Sequence, residues 1–222
     1  MTNIRDSVWK LIDKDPSIRL DLERDMINVR ALARHCRDNG IEGSEDAIIS
    51  AIRRYPKENK YLDQYKEAAK LIRGAKISTK SHLAIIAVKK SPKVTELLSE
   101  IFNSVKYEKG EMIRFVQGEE SIRVMIDESK IEEFLDIVSK EYIIDVKKNI
   151  AEINLHLPPV IVKTRGVGLV ILNELFRNNV LIYELMTCVP EFLIFVEDAE
   201  LLKAYEVLFD LCSNKKKHES RT

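Results

Sequence analysis

The chain has 222 residues, 45% of them hydrophobic and 32% charged, and its 36 basic side chains are balanced by 36 acidic ones. That length has room for two or three small domains, and no apolar run approaches the ~18 residues of a membrane span. The first eighty residues lean mildly basic and the remainder mildly acidic, which permits an acidic partner such as DNA without demanding one.

The opening residues mix charge with apolar side chains and do not read as a signal peptide, so the chain is expected in the cytoplasm. Cys36, Cys188 and Cys212 are far apart and lack CxxC spacing. They read as reduced, partly buried thiols and not as a disulfide frame or a metal site.

In chain order, residues 6–13 place Val8, Leu11 and Ile12 at i, i+3 and i+4, which predicts a helix. Pro16 ends it, and residues 17–24 predict a second, short helix. Asn28 is positioned to cap residues 29–36, with Asn39 and Gly40 as their stop. Ser44 is positioned to cap 45–55, where Ile48, Ala51, Ile52 and Tyr55 form one stripe, and Glu45 and Asp46 suit the dipole of its first turn.

Two helices joined by a short glycine-containing turn fit a helix-turn-helix-like head. On that reading helix 45–55 enters a major groove, and Arg37, Arg53, Arg54 and Lys57 meet phosphates. The competing reading is a packing or dimerisation domain with a solvated basic edge. Glu45 and Asp46 favour the latter, since they would repel phosphate at the helix start. His35 and Cys36 are adjacent on one helix and do not converge on a metal. Residues 59–73, stopped by Gly74, predict a connector helix.

The remainder reads as a duplication. Leu97, Leu98, Ile101 and Phe102 recur 74 positions later as Ile171, Leu172, Leu175 and Phe176. Residues 125–138 recur 70 positions later as 195–208, so Ile131, Leu135 and Val138 match Leu201, Tyr205 and Leu208. The shared helix stripes are expected in the core, the two phenylalanines included.

Each copy reads β-α-β-β-α. The first uses strands 83–88, 112–117 and 121–126 with helices 94–105 and 130–140, and residues 142–146 can add a last strand. His82 is expected just before the first of these strands. The second copy opens with strand 151–157, whose Ile153, Leu155 and Leu157 alternate with polar residues and leave His156 facing outward. A glycine-marked helix within 165–179, strands 180–186 and 192–196 and a final helix follow. Helices this amphipathic cover one face of a sheet, which makes each copy a split-βαβ, ferredoxin-like layer.

Residues 151–212 resemble the ACT domains at the regulatory end of aspartate kinases. The resemblance rests on the alternating first strand, Gly166 and Val167 opening the helix, the Asn178-Asn179 stop, strand 180–187, and Val196-Glu-Asp-Ala-Glu200 before the last helix. The expected fold class is α+β: a helical, helix-turn-helix-like domain over 1–58 and a connector helix over 59–75, then two ferredoxin-like βαββαβ ACT-type domains over 76–147 and 148–213. A disordered tail would occupy 214–222.

The resemblance implies a small effector, usually an amino acid, bound where such domains pair. Its site would be the turn Thr164, Arg165, Gly166, Val167 and Gly168, whose backbone amides face the ligand carboxylate, with Arg165 adding a charge contact. The position where aspartate kinases often carry a ligand-binding asparagine falls here on Leu181. Asn178 and Asn179 stand nearby as substitutes, although helix termination is their simpler role. The first copy has Ser91, Pro92, Lys93 and Val94 at its turn and no glycine, which implies a lost site.

No nucleophile–base arrangement and no nucleotide-binding loop is apparent, so neither enzymatic activity nor a cofactor is expected. The leading reading is a metabolite-sensing regulatory protein, homo-oligomeric and most simply dimeric, whose head acts on DNA. The alternative is a non-DNA-binding regulatory or scaffold subunit that binds a metabolic enzyme.

Overall fold

A computed structural model describes residues 3–56 and 60–213. Its contacts separate a helical unit, up to Glu67, from a sheet unit that begins at Ala68. Lys57 and the tail from 214 lie outside the described residues, as does the side chain of Tyr61.

The helical unit holds α1 (Ile4–Lys14), α2 (Pro16–Glu23), α3 (Val29–Asp38) and α4 (Glu45–Arg53). Each start is fixed locally. The side chains of Asn3, Asp15, Asn28 and Ser44 accept from backbone N–H groups of the turns that follow them, which satisfies donors a helix start leaves open. Pro16 does not merely end α1; it opens α2, where its missing N–H costs nothing. Gly40, at φ 80°, closes α3 with N–H bonds from Gly40 to Arg37 O and from Ile41 to Cys36 O, the Schellman arrangement.

Val8, Ile12, Leu32, Ala33, Cys36, Ile48 and Ile52 make the core of this unit. Trp9 donates its Nε1–H to Ala51 O at 2.9 Å and meets Tyr55 edge to face. Burial and the Asp13 carboxylate that its hydroxyl faces push Tyr55 up to about 12.

In the sheet unit the elements run α5 (Lys60–Ile72, which begins in the helical unit), β1 (Lys76–Lys89), α6 (Pro92–Ser104), β2 (Ile113–Gln117), β3 (Ser121–Asp127) and α7 (Ile131–Ile137). They continue with β4 (Ile143–His156), α8 (Val167–Arg177), β5 (Glu184–Cys188), β6 (Glu191–Glu197) and α9 (Leu201–Cys212). The six strands form one antiparallel sheet in the order β2-β3-β1-β4-β6-β5.

β1 and β4 differ from the sequence expectation, and the difference organises the unit. Residues 142–146 and 151–157 are not two strands but one continuous strand, β4, and β1 starts seven residues before Leu83. His82 therefore lies inside β1. It and Asn149, its counterpart in β4, both take φ 57°, and the β1–β4 register slips beside them. Leu83 to Val88 and Asp145 to Lys147 extend the first repeat, while residues 76–80 of β1 pair with the part of β4 that β6 also flanks. Each long strand thus serves as an inner strand of one repeat and an outer strand of the other.

The slips let the sheet fold over on itself. Arg123 on β3 reaches Glu184 on β5 at 3.5 Å, whereas four strand spacings in a flat sheet would separate them by about 19 Å. Leu83, Ile85 and Met125 of the first repeat pack with Ile150, Leu193 and Phe195 of the second in one buried inner cluster. On the outer face of the first repeat, Ile86, Val88 and Val124 pack under Val94, Leu98 and Ile101 of α6 and Phe134 of α7. This explains why residues 83–88 are an unbroken buried run: both faces of β1 have apolar cover.

The two slips are tied in parallel ways. The Asn149 N–H donates to Glu128 at 3.3 Å and that of His82 to Asp198 at 3.4 Å. Lys147 pairs with Glu197 at 2.6 Å and Lys80 with Asp127 at 2.8 Å.

Two further expectations are corrected. Phe102 and Phe176 are not core: they are 48% and 78% exposed, whereas Ile101 and Leu175, one residue earlier, are buried. One residue is about 100° of helix turn, enough to carry Phe176 out to solvent and Phe102 to the margin of the sheet, where its ring lies 6.1 Å from that of Phe115. The strand placed at 180–186 begins only at Glu184, because the Val180 N–H is used by Leu175 O to close α8.

Candidate functional site

The residues singled out for an effector lie at both ends of α8. At its start, Thr164 follows a 3-10 turn, donating its hydroxyl to Val160 O at 3.2 Å, and Arg165 is exposed. Gly166 is the N-cap at φ 86°, a backbone conformation that suits glycine. Val167 is buried and anchors the first turn, and the Val170 N–H returns to Gly166 O at 2.9 Å. No side chain caps this helix and its first turn holds no acid, so no side chain of its own competes with an anion for its first amide donors and the positive end of its dipole.

Asn178 and Asn179 sit at the other end, about 16 Å away along an eleven-residue helix. Asn178 donates its side-chain N–H to Glu174 O at 2.8 Å. Asn179, at φ 52°, donates its backbone N–H to Phe176 O, and Lys203 donates to its carbonyl. Both act in closing the helix, and the fold does not bring them to the Gly166 turn. Leu181 is exposed beyond them.

The first repeat treats the equivalent helix start differently. Ser91 Oγ accepts from the Val94 N–H at 3.2 Å and Pro92 removes a donor, so α6 already has its cap. The open helix start belongs to the second repeat.

Gly166 and Gly168 carry different constraints. Gly166→Ala is expected to cost about 1–2 kcal/mol through its left-handed backbone, since the added methyl would meet Ala68 at an ordinary 3.9 Å. Gly168→Ala has room beside Phe192 and should be neutral or stabilising by up to about 1 kcal/mol. Urea denaturation of the two variants checks the contrast.

A groove of about 400 Å³ that sequence reasoning missed runs between α6 and the edge strand β2. It is floored by Leu98, Phe102, Phe115 and Ile122. Its rim of Thr95, Ser99, Asn103 and Gln117 is uncharged. It has no ionic partner for the carboxylate or ammonium of an amino acid. Placing Phe102 in the core hid it.

In the helical unit, Arg37, Arg53 and Arg54 are all exposed. Arg37 stands 3.9 Å from Glu45, and the last two lie at the C-terminal end of α4. Glu45 and Asp46 are exposed on the first turn of that helix. Cys36 and Cys212 are buried, which pushes both thiols up, Cys212 to about 11. Cys188 is exposed. Among the described residues no three of His, Cys, Asp and Glu gather as a metal site, and no helix is long and apolar enough to cross a membrane.

The sequence matches no protein-family model and no curated protein. Solved structures do match. The aspartate kinase of Clostridium acetobutylicum, described as an allosteric enzyme, aligns at TM-score 0.52 and 18% identity over 62% of this chain. The match spans 34% of that enzyme, about a third of its length. The regulatory subunit of aspartate kinase from Thermus flavus aligns at TM-score 0.50 and 11% identity, over 63% of this chain and 99% of that one. The shared fold is that of an aspartate kinase regulatory region. At these identities the likeness is one of fold.

Proposed function

We propose that this chain is an amino-acid-sensing regulatory protein. Its two repeats act as ferredoxin-like, ACT-type units, the second takes a small effector at Thr164 to Gly168, and the helix-turn-helix-like head delivers the output to DNA. The carrying observation is the asymmetry of the duplicated helix starts. On a fold shared with a regulatory subunit of aspartate kinase, α6 is capped by Ser91 and Pro92, while α8 opens on a glycine with its amides free of any side-chain cap.

A carboxylate on those amides, with Arg165 beside it, follows from the charge at a helix start. The protein is not an enzyme on this reading; effector binding shifts the balance between arrangements of a homodimer. Leu169, Phe176, Leu202 and Phe209 are large apolar side chains exposed on α8 and α9, which supports association with a second subunit. The same residues support the alternative, a regulatory or scaffold subunit docked on a metabolic enzyme.

A thermal-shift screen of the proteinogenic amino acids tests the sensor. One that reaches a hundred times its Kd should stabilise the protein by about 2.7 kcal/mol, and Arg165→Ala should weaken that response. No shift with any of them at millimolar concentration would remove the amino-acid reading.

A further inference from the structure

α3 buries Leu32, Ala33 and Cys36 and presents Arg30, Arg34 and Arg37 to solvent. These arginines stand at i, i+4 and i+7. At 100° and 1.5 Å per residue they fall within an arc of about 60° and along about 10 Å of helix. Among the described residues no ion pair holds Arg30 or Arg34, and Arg37 has only Glu45 at 3.9 Å. The first turn of α3 contains no acid, so the helix dipole adds to the arginines there. Asp38 is exposed too, but it lies roughly 70° round the helix from the centre of the stripe.

α4 has the opposite arrangement. Glu45 and Asp46 occupy its first turn, and Arg53 and Arg54 sit at the end where the dipole is negative. α2 and α3 are joined by the short turn 24–28, in which Asp25 takes φ 56°, so they too form a helix–turn–helix pair.

We infer that α3, through Arg30, Arg34 and Arg37, is the face of the head that binds duplex DNA, and that α2–α3 is its helix–turn–helix pair in place of α3–α4. This rests on the DNA output proposed above. The occupant is a duplex because a ten-residue helix fits a major groove about 12 Å wide, and because α3 carries no Phe, Tyr or Trp on which an unpaired base would stack.

The test is retention of the full chain on a short mixed-sequence DNA duplex as salt is raised, with single-stranded RNA of equal length as a parallel probe. Each arginine–phosphate contact contributes about 0.9 to the slope of log affinity against log salt. R30Q/R34Q should therefore lower the slope by about 1.8, R30K/R34K should keep it, and R53Q/R54Q should leave it unchanged. Circular dichroism confirms that each variant is folded. If R30Q/R34Q keeps the wild-type slope, or R53Q/R54Q alone loses it, the assignment to α3 falls while the DNA output stands. If the wild type shows no salt-dependent retention, both fall, and tighter binding to the RNA overturns the duplex as partner.

Discussion

Arg114→Ala is expected to destabilise the sheet unit by about 3–5 kcal/mol, because it strands a buried carboxylate. Arg114 on β2 grips Glu152 on β4 with two bonds, Nε–H to Oε2 at 2.6 Å and Nη2–H to Oε1 at 2.8 Å. Glu152 is only 4% exposed, so once its partner is removed its side chain is left buried without a compensating charge or donor. The hydrogen bond to Glu152 holds the guanidinium above its ordinary range, and Glu191 adds to the effect. For a protein of this size the loss corresponds to a fall in Tm of about 6–20 °C. The double variant R114M/E152M should recover most of it, since apolar side chains of similar volume can replace a buried pair at little cost. A double variant as unstable as the single one would mean that the loss comes from packing and not from the orphaned charge.

Phe195→Ala should cost a comparable 3–5 kcal/mol. Phe195 is fully buried on β6 in the inner cluster, with Leu83, Ile85 and Met125 arriving from the other repeat. Truncation opens a cavity between two sheet layers that are tied through continuous strands and cannot easily close on it. Phe176→Ala provides the contrast: the same side chain, exposed on α8, should change stability by no more than about 0.5 kcal/mol. Equilibrium unfolding in urea separates the two, and equal losses would contradict the folded-over sheet.

Local signals were legible in the sequence. Asn28, Ser44 and Gly40 perform the capping and stopping their residue types imply, and the duplicated helices and strands recur in the order the 74- and 70-residue matches indicate. What was hidden is non-local. Glu152 alternates with Ile153 and Leu155, a pattern that reads as an outward polar position. Its partner Arg114 stands 38 residues away, and only the folding of the sheet brings them together. The continuity of β4 is not legible either, because the polar residues Lys147, Lys148 and Asn149 interrupt the apolar alternation between 142–146 and 151–157. Asn149 does take left-handed backbone, but within a strand, where Glu128 receives its N–H. The open start of α8 was visible as a glycine turn. Its separation from Asn178 and Asn179 required the length of the helix.

The sharing of β1 and β4 also bears on how this unit loses its structure. Neither half has a complete set of strands without the other, since residues 76–80 complete the second repeat and residues 143–147 the first. A partly melted form with one repeat intact would strip the ladder partners from each shared strand and leave an open edge of unpaired backbone groups. Heat or denaturant should therefore carry residues 76–213 through a single transition, with amides in β1 and β4 exchanging only when the whole unit opens.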